Sequence, residues 1–296
     1  MEATRIYRLR GTPGCPIDVY RTARVKQHRT FAHWHPELEI MFVEDGTTVY
    51  RLEGRTLTLH PKDILIIPPN TLHSQTAYTP ELTAWSMVIA TEAITMPKTH
   101  IFQKDFVEPL QQGRLHMPTV LRPGDAAHAV LYPLLLRLET GFIYEDNYEI
   151  NRFSTAMAIC TALLPFCNIS DEPGLPRTQD HLAVRQCMDY IHHNYSQRLT
   201  LAVLAKQVQL HPNYLCSLFR AHTGQTLVAY IIQVRVEAAA QLLRTTDLPV
   251  NRVAEQCGFR SECLLYKYFK TAMGTTPIAY RNAPFTCAPP YPSEIF

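Results

Sequence analysis

The stretch 201–220, LAVLAKQVQLHPNYLCSLFR, returns in degenerate form at 250–270 as VNRVAEQCGFRSECLLYKYFK. Leu201, Leu204, Ala205, Val208 and Leu210 recur as Val250, Val253, Ala254, Cys257 and Phe259, an offset of 49. Past one inserted residue, Arg260, the residues Leu215, Phe219 and Gly224 recur as Leu265, Phe269 and Gly274, an offset of 50. Two copies fall short of the roughly three that a stacked solenoid needs, so each copy is one supersecondary unit. Each reads as a short apolar helix, a turn of about four residues, and an amphipathic helix opening on His211-Pro212 or on Ser261, a good cap. That is the pattern of a helix-turn-helix.

In this motif the second helix enters the DNA major groove, so its residues divide into a buried stripe and a base-facing stripe. Leu215, Leu218 and Phe219 belong to the first; Asn213, Cys216, Ser217 and Arg220 face away, as do Glu262, Cys263, Tyr266 and Lys267 in the second copy. Groove chemistry assigns Asn213 to adenine, Lys267 to guanine, Glu262 to the cytosine amino group and the two thiols to thymine methyls, with Arg220 on phosphate. A helix over Thr226–Arg244, with Tyr230, Ile231, Val234, Ala238 and Leu242 inward, joins the copies. At 1.5 Å per residue it spans roughly 28 Å, close to one duplex turn of about 34 Å.

The whole-chain charge hides this partner: 28 Lys and Arg against 26 Asp and Glu leave only +2. Residues 181–283, however, carry 11 basic against 5 acidic residues, a net of +6, which leaves −4 for the remainder. Phosphate neutralisation supplies most sequence-independent affinity for DNA, so the local excess is the relevant quantity.

Residues 181–283 resemble the DNA-binding domain of the AraC/XylS family of transcription regulators. The resemblance rests on Tyr190-Ile191, Asn194-Tyr195, Leu204-Ala205, Tyr214 to Arg220, Gly224, Arg235, Ala239, Leu242-Leu243, Val253-Ala254, Gly258-Phe259-x-Ser261, Phe269-Lys270, Gly274-x-x-Pro277 and Tyr280-Arg281. Departures are Gln209 and His211, where Gly and Ser are usual, and Cys at two base-facing positions. The resemblance implies a sequence-specific, cytoplasmic regulator of promoter DNA, an activator working with RNA polymerase, homodimeric and responsive to a small-molecule effector, with no membrane role and no catalysis.

Up to about residue 95 the pattern is that of short strands: Leu38–Val43, Thr48–Leu52, Thr56–Leu59, Ile64–Ile67 and Thr83–Ile89, punctuated by Asp45-Gly46, Glu53-Gly54, His60-Pro61 and Pro68-Pro69-Asn70. Such punctuation predicts an antiparallel barrel or jelly roll. His33-x-His35-x-x-x-Glu39 with Gly46, then Pro68-x-Asn70-x-x-His73, resemble the two cupin motifs, with Asn70 at a turn position where Gly is usual. His33 and His35, two apart, are expected on one side of one strand. The preferred reading is a metal-free effector pocket of His33, Trp34, His35, Glu39 and His73, for a sugar or sugar derivative, with Trp34, Tyr20 and Tyr50 available to stack on it. Three imidazoles and a carboxylate also suit a divalent transition metal, as in cupin enzymes. The rival to a regulator is accordingly a metal-dependent isomerase or dioxygenase with an accessory helical domain.

From Asp125 the period lengthens. Ala129, Leu131, Leu134, Leu135 and Leu138, then Tyr148, Phe153, Met157, Cys160, Leu163 and Leu164, mark two helices of a hairpin, with Gly141 in the gap, whose outer stripe is expected to pair subunits. The expected organisation is therefore α+β in two domains. A cupin-like sensor occupies 1–167 with its hairpin at 125–167, a linker 168–180, a double helix-turn-helix 181–283 opened by an Asp180 cap, and a tail 284–296. Eight cysteines without a CxxC pair, a first segment, MEATRIYRLRGTPG, without an apolar run, and no long apolar stretch fit reduced thiols in a soluble cytoplasmic protein.

Overall fold

A computed structural model describes residues 15–23, 32–141, 148–171 and 179–282, and the chain divides into two compact units on either side of 172–178. The first holds strands β1 (Ile17–Ala23), β2 (Leu38–Asp45), β3 (Thr48–Leu52), β4 (Arg55–Leu59), β5 (Ile64–Ile67), β6 (His73–Tyr78), β7 (Thr83–Ile89), β8 (Leu115–His116), β9 (Val120–Leu121) and β10 (Asn168–Ile169). It also holds helices α1 (Glu108–Gln111), α2 (Ala126–Gly141) and α3 (Tyr148–Leu163). Five strands run in the order β1-β7-β2-β5-β9 and three in the order β4-β3-β6, all antiparallel.

The near-continuous apolar runs of β2 and β5 follow from a sheet covered on both faces. Leu38, Ile40, Phe42, Ile64 and Ile66 enter a core shared with Leu131, Leu135, Ile159, Cys160 and Leu163 of the helices. Met41, Val43, Leu65 and Ile67, one residue out of phase, enter a second core with Tyr50, Leu52 and Leu59 of the smaller sheet. The period of two thus builds helices, sheet and sheet as successive layers.

Several expectations for this unit are corrected. β6 escapes the apolar pattern because it buries polar groups on both faces: His73, Ser74 and Gln75 are buried, and the Gln75 amide donates to Thr48 Oγ1 at 2.9 Å. His33 and His35 do not share a strand; His33 forms an isolated bridge with His73 and His35 lies outside the strands. Gly141 ends α2 rather than filling a gap, the connection itself at 142–147 lying outside the described residues. Ala129 and Phe153 face outward while Ala127 and Ala156 pack inward, because each buried stripe is rotated from the one the larger side chains suggested. Asn168–Ile169 pair with β8, so the expected linker begins inside a ladder. The tail 284–296 lies outside the described residues.

The second unit comprises α4 (Gln179–Asn194), α5 (Leu201–Gln207), α6 (Pro212–Thr223), α7 (Leu227–Thr245), α8 (Val250–Gln256), α9 (Glu262–Met273) and α10 (Pro277–Asn282). α5, α6 and α7 are capped by Thr200, His211 and Thr226, and α9 by Ser261, each accepting a backbone N–H. α6 and α9 both stop at a left-handed glycine, Gly224 at φ 78° and Gly274 at φ 69°, as the αL C-cap requires. Leu215, Phe219, Leu265 and Phe269 are fully buried; truncating either Phe to Ala costs about 3–5 kcal/mol. Leu201 is exposed rather than inward, and Leu243 in place of Leu242 is the fully buried residue at the end of α7.

The repeat extends further than the sequence comparison reached. Tyr230 meets Phe219 edge-on at 5.3 Å, and 50 residues on Tyr280 meets Phe269 at the same 5.3 Å. The caps Thr226 and Thr276 accept from Ala229 N and Ala279 N in the same register. Each unit therefore contains the first turn of a third helix, which clamps the recognition helix from behind.

Candidate functional site

The helical unit presents α6 and α9 with one face buried and one open. Asn213, Cys216, Ser217 and Arg220 on α6, and Glu262, Cys263 and Lys267 on α9, are exposed, whereas Tyr266 is half-buried against the core. Asp180 does not cap α4. It lies one residue inside the helix, and its carboxylate accepts instead from the Tyr214 hydroxyl on α6 at 3.0 Å. The rings of His181 and His222 stand edge-on at 4.4 Å, so the first turn of α4 meets α6 near both of its ends.

The local net charge of +6 overstates what is available to a partner. Arg235 donates to the Tyr195 and Gln197 carbonyls, both at 2.8 Å, and Arg281 to those of Leu243 and Leu248. Arg252 pairs with Glu255 at 2.7 Å, and Arg244 lies 4.3 Å over the Tyr280 ring. The side-chain cations of Arg198, Lys206, Arg220, Arg260 and Lys270 have neither hydrogen-bond nor ion-pair partners among the described residues. A sequence count of charge cannot separate these two groups, because Arg235 and Arg281 are spent on carbonyls, and Arg244 on a ring, that the fold brings to them.

In the β unit the expected polar residues converge although they are not on one strand. The ring centroids of His33 and His73 are 4.1 Å apart, those of His35 and His73 5.0 Å and those of His33 and His35 5.6 Å. Glu39, on β2, lies among them: its Oε2 is 3.1 Å from His35 Nε2 and 3.5 Å from His73 Nε2, while Oε1 accepts from Ser86 on β7. Burial pushes the Glu39 carboxyl up, but the bonds from His35 and His73 and then their charge overcome it and hold the group well below the ordinary carboxylate range. His73 Nδ1 must carry a proton, since it donates to the Thr71 carbonyl at 2.8 Å. Asn70, at φ 60°, makes the turn that delivers β6 with His73 at its start.

Glu37 and Ser86 were missed by the sequence reading. Glu37 is buried, with Oε2 3.2 Å from His35 Nδ1, so both nitrogens of His35 face carboxylates. The alternation that pointed to His33 and His35 could have extended to Glu37; nothing local marked Ser86, which arrives through the β2·β7 ladder opposite Met41. Trp34 is half-buried, Tyr50 is buried in the core between the sheets, and the side chain of Tyr20 lies outside the described residues. Ring nitrogens of His33, His35 and His73 all lie within 4.8 Å of one another, a spacing that fits a divalent transition metal, and a ligating imidazole with its far N–H on a carbonyl is the usual outer support.

A β unit with a buried polar cluster, followed by a double helix-turn-helix with an open basic surface, defines the class of DNA-binding proteins that carry their own ligand-binding domain. Residues 204–283 match the helix-turn-helix domain family and residues 17–88 the AraC-like ligand binding domain family. The chain is 27% identical over 275 residues to the MmsAB operon regulatory protein of Pseudomonas aeruginosa, covering 90% of this chain and 83% of that one. It is 25% identical over 262 residues to the melibiose operon regulatory protein of Escherichia coli, covering 85% and 83%. Among solved structures it is similar to ToxT from Vibrio cholerae, at 14% identity and a TM-score of 0.45, over 90% of this chain and 97% of that one. The chain belongs to the AraC family of DNA-binding transcription regulators.

Proposed function

We propose that the chain is an activator of transcription whose DNA affinity or arrangement changes when a sugar or sugar derivative binds at His33, Trp34, His35, Glu39 and His73. The observation that carries this reading is the part-buried anionic Glu39 among three imidazoles and a serine hydroxyl, a ring of donors and acceptors suited to several hydroxyl groups at once. Melibiose, in one relative's name, is a saccharide; the other relative's name gives only the operon it regulates, so the names support operon regulation more than one effector. The reading includes Asn213, Cys216, Ser217, Arg220, Glu262, Cys263, Tyr266 and Lys267 as the DNA-facing set, RNA polymerase as a partner, a cytoplasmic location and no catalysis. Among the described residues no single helix is long and apolar enough to cross a membrane.

A homodimer formed by the outer stripe of α2 and α3 completes it. Val130 and Leu136 on α2 and Ile150 and Phe153 on α3 expose between 37% and 66% of their surface, which supplies apolar side chains for such a contact. A second reading of the polar cluster is favoured by one observation, the His73 Nδ1 proton fixed on Thr71, which turns Nε2 inward as a ligand atom. Metal analysis of protein purified without a histidine tag separates the two, and stoichiometric Fe, Mn, Ni or Zn overturns the metal-free pocket. A thermal-shift screen of sugars, followed by operator binding with and without the hit, tests the regulator itself. Identical affinity and footprint in both states would count against it.

A further inference from the structure

Gly258 sits in the turn of the second helix-turn-helix at φ +75°, and a Cβ there would lie 2.7 Å from the carbonyl oxygens of both Tyr195 and Ser196. The same loop, 195–197, is held from the other side by Arg235 of α7 through the Tyr195 and Gln197 carbonyls. This loop leads into α5, so the contact is the seam between the two DNA-reading units. Two exposed arginines flank it: Arg198 follows Ser196 by two residues, and Arg260, the residue inserted in the second copy of the repeat, follows Gly258 by two. Two residues span at most about 7 Å, so the backbones of both arginines lie beside the seam. Neither has a hydrogen-bond or ion-pair partner among the described residues, and Glu262, the nearest acid in sequence to Arg260, forms no ion pair with it. Arg235 donates only to carbonyls; burial lowers its proton affinity, with Cys257 acting the other way and the Arg260 charge lowering it further.

We infer that Arg198 and Arg260 form a phosphate clamp that grips the DNA backbone between the two major-groove segments. The inference rests on the DNA-binding reading above and adds to it. Two recognition helices in successive major-groove segments leave a minor groove between them, whose bordering phosphates face the middle of the protein. In the inferred complex the seam lies at that middle. A contact there is blind to sequence and fixes register, the task of phosphate contacts in general. The extra residue in the second turn is thereby explained: it places a cation that the first turn, with Gln209 and Leu210, lacks.

The test uses the full chain and a DNA site selected by it from a random pool. Each of Arg198→Gln and Arg260→Gln is expected to lower the slope of log K against log salt by about 1 and affinity about fivefold at 0.15 M salt. The selected sequence and the thermal midpoint stay unchanged, as does every quantity in Lys98→Gln, an exposed lysine of the β unit. Methylphosphonates at the phosphates between the half-sites weaken the natural protein and leave the double variant unaffected. A double variant with the natural salt slope, or one still weakened by the methylphosphonates, overturns the clamp while the DNA-binding reading stands. A natural protein that selects no sequence overturns both.

Discussion

The Tyr214 hydroxyl on the first recognition helix donates to the Asp180 carboxylate in the first turn of α4, 3.0 Å from each of its oxygens. The bond raises the phenol's pKa, because ionisation would set two anions against each other. The pair is exposed, so its energetic weight is small and its effect is on placement. Asp180→Asn is expected to return one tyrosine to its ordinary titration range in a spectrophotometric titration, with the thermal midpoint unchanged. A titration curve identical to that of the natural protein would remove the bond.

Gln209 and Gly258 occupy the same turn position in the two repeats, both left-handed, at φ 55° and φ 75°. A side chain in that region costs roughly 1–2 kcal/mol, offset in part by the greater freedom glycine loses on folding. Gln209→Gly should therefore stabilise by about 0.5–1 kcal/mol. Gly258→Ala should destabilise by more than about 2 kcal/mol, since strain adds to a clash with two backbone carbonyls that no side-chain rotation relieves. Denaturant midpoints of the two variants read both effects, and equal destabilisation by the two would contradict them.

The offsets of 49 and 50 make the helical unit legible in the sequence, because a repeat states its own register and local caps mark where helices begin. The β unit was readable where strands alternate and unreadable where a strand hides polar groups inside, as β6 does around His73 and Gln75. Polar residues on an inward face look like a loop until their partners arrive from other strands. The same holds for the cluster: the resemblance to cupin motifs points to His33, His35, Glu39 and His73, while Ser86, 47 residues from Glu39, joins only through the β2·β7 ladder. Charge was readable as a sum, but its division into spent and available arginines required the fold.

Glu237 on α7 is buried, accepts one bond from the Gln233 amide at 2.9 Å, and leaves Oε2 without a hydrogen-bond partner. Burial outweighs that bond and pushes its carboxyl up to about 8. The folded value lies above the unfolded one, near 4.3, so the unfolded chain releases the proton first. The contribution is fully present below about pH 4.3 and is lost as pH rises through about 8. Glu237→Gln should flatten that decline, giving a higher thermal midpoint than the natural protein at pH 9 and a similar one at pH 5. Parallel stability curves across this range would sink the assignment.

Glu39 carries the opposite sign. Its folded value is depressed by His35 and His73, so its stabilising contribution is present above the ordinary carboxylate value, near 4.3, and fades as pH falls through the lower folded value. Glu39→Gln keeps the shape, removes the charge, and should abolish the thermal shift given by a bound effector while leaving binding of the selected operator in the effector-free state within about twofold. An effector shift that survives the substitution would move the effector site elsewhere in the unit.

Glu262 stands exposed in the first turn of α9, directly after the Ser261 cap, where a carboxylate is favoured by the helix dipole. Its removal costs the fold only about 0.3–1 kcal/mol, whereas a base contact carries about 1–3 kcal/mol of discrimination. Glu262→Ala should therefore relax one operator position from cytosine to near indifference, with the other positions and the salt slope unchanged. Glu262→Gln goes further: an amide can pair with the two major-groove edge groups of adenine, so the preferred base at that position should change rather than merely weaken. Binding sites selected in parallel by the three proteins decide it. Identical selected sequences would free Glu262 from any part in reading bases and leave it as a helix-dipole residue, whereas a uniform loss of affinity at every position would mean that the substitution had disturbed the seating of α9 itself.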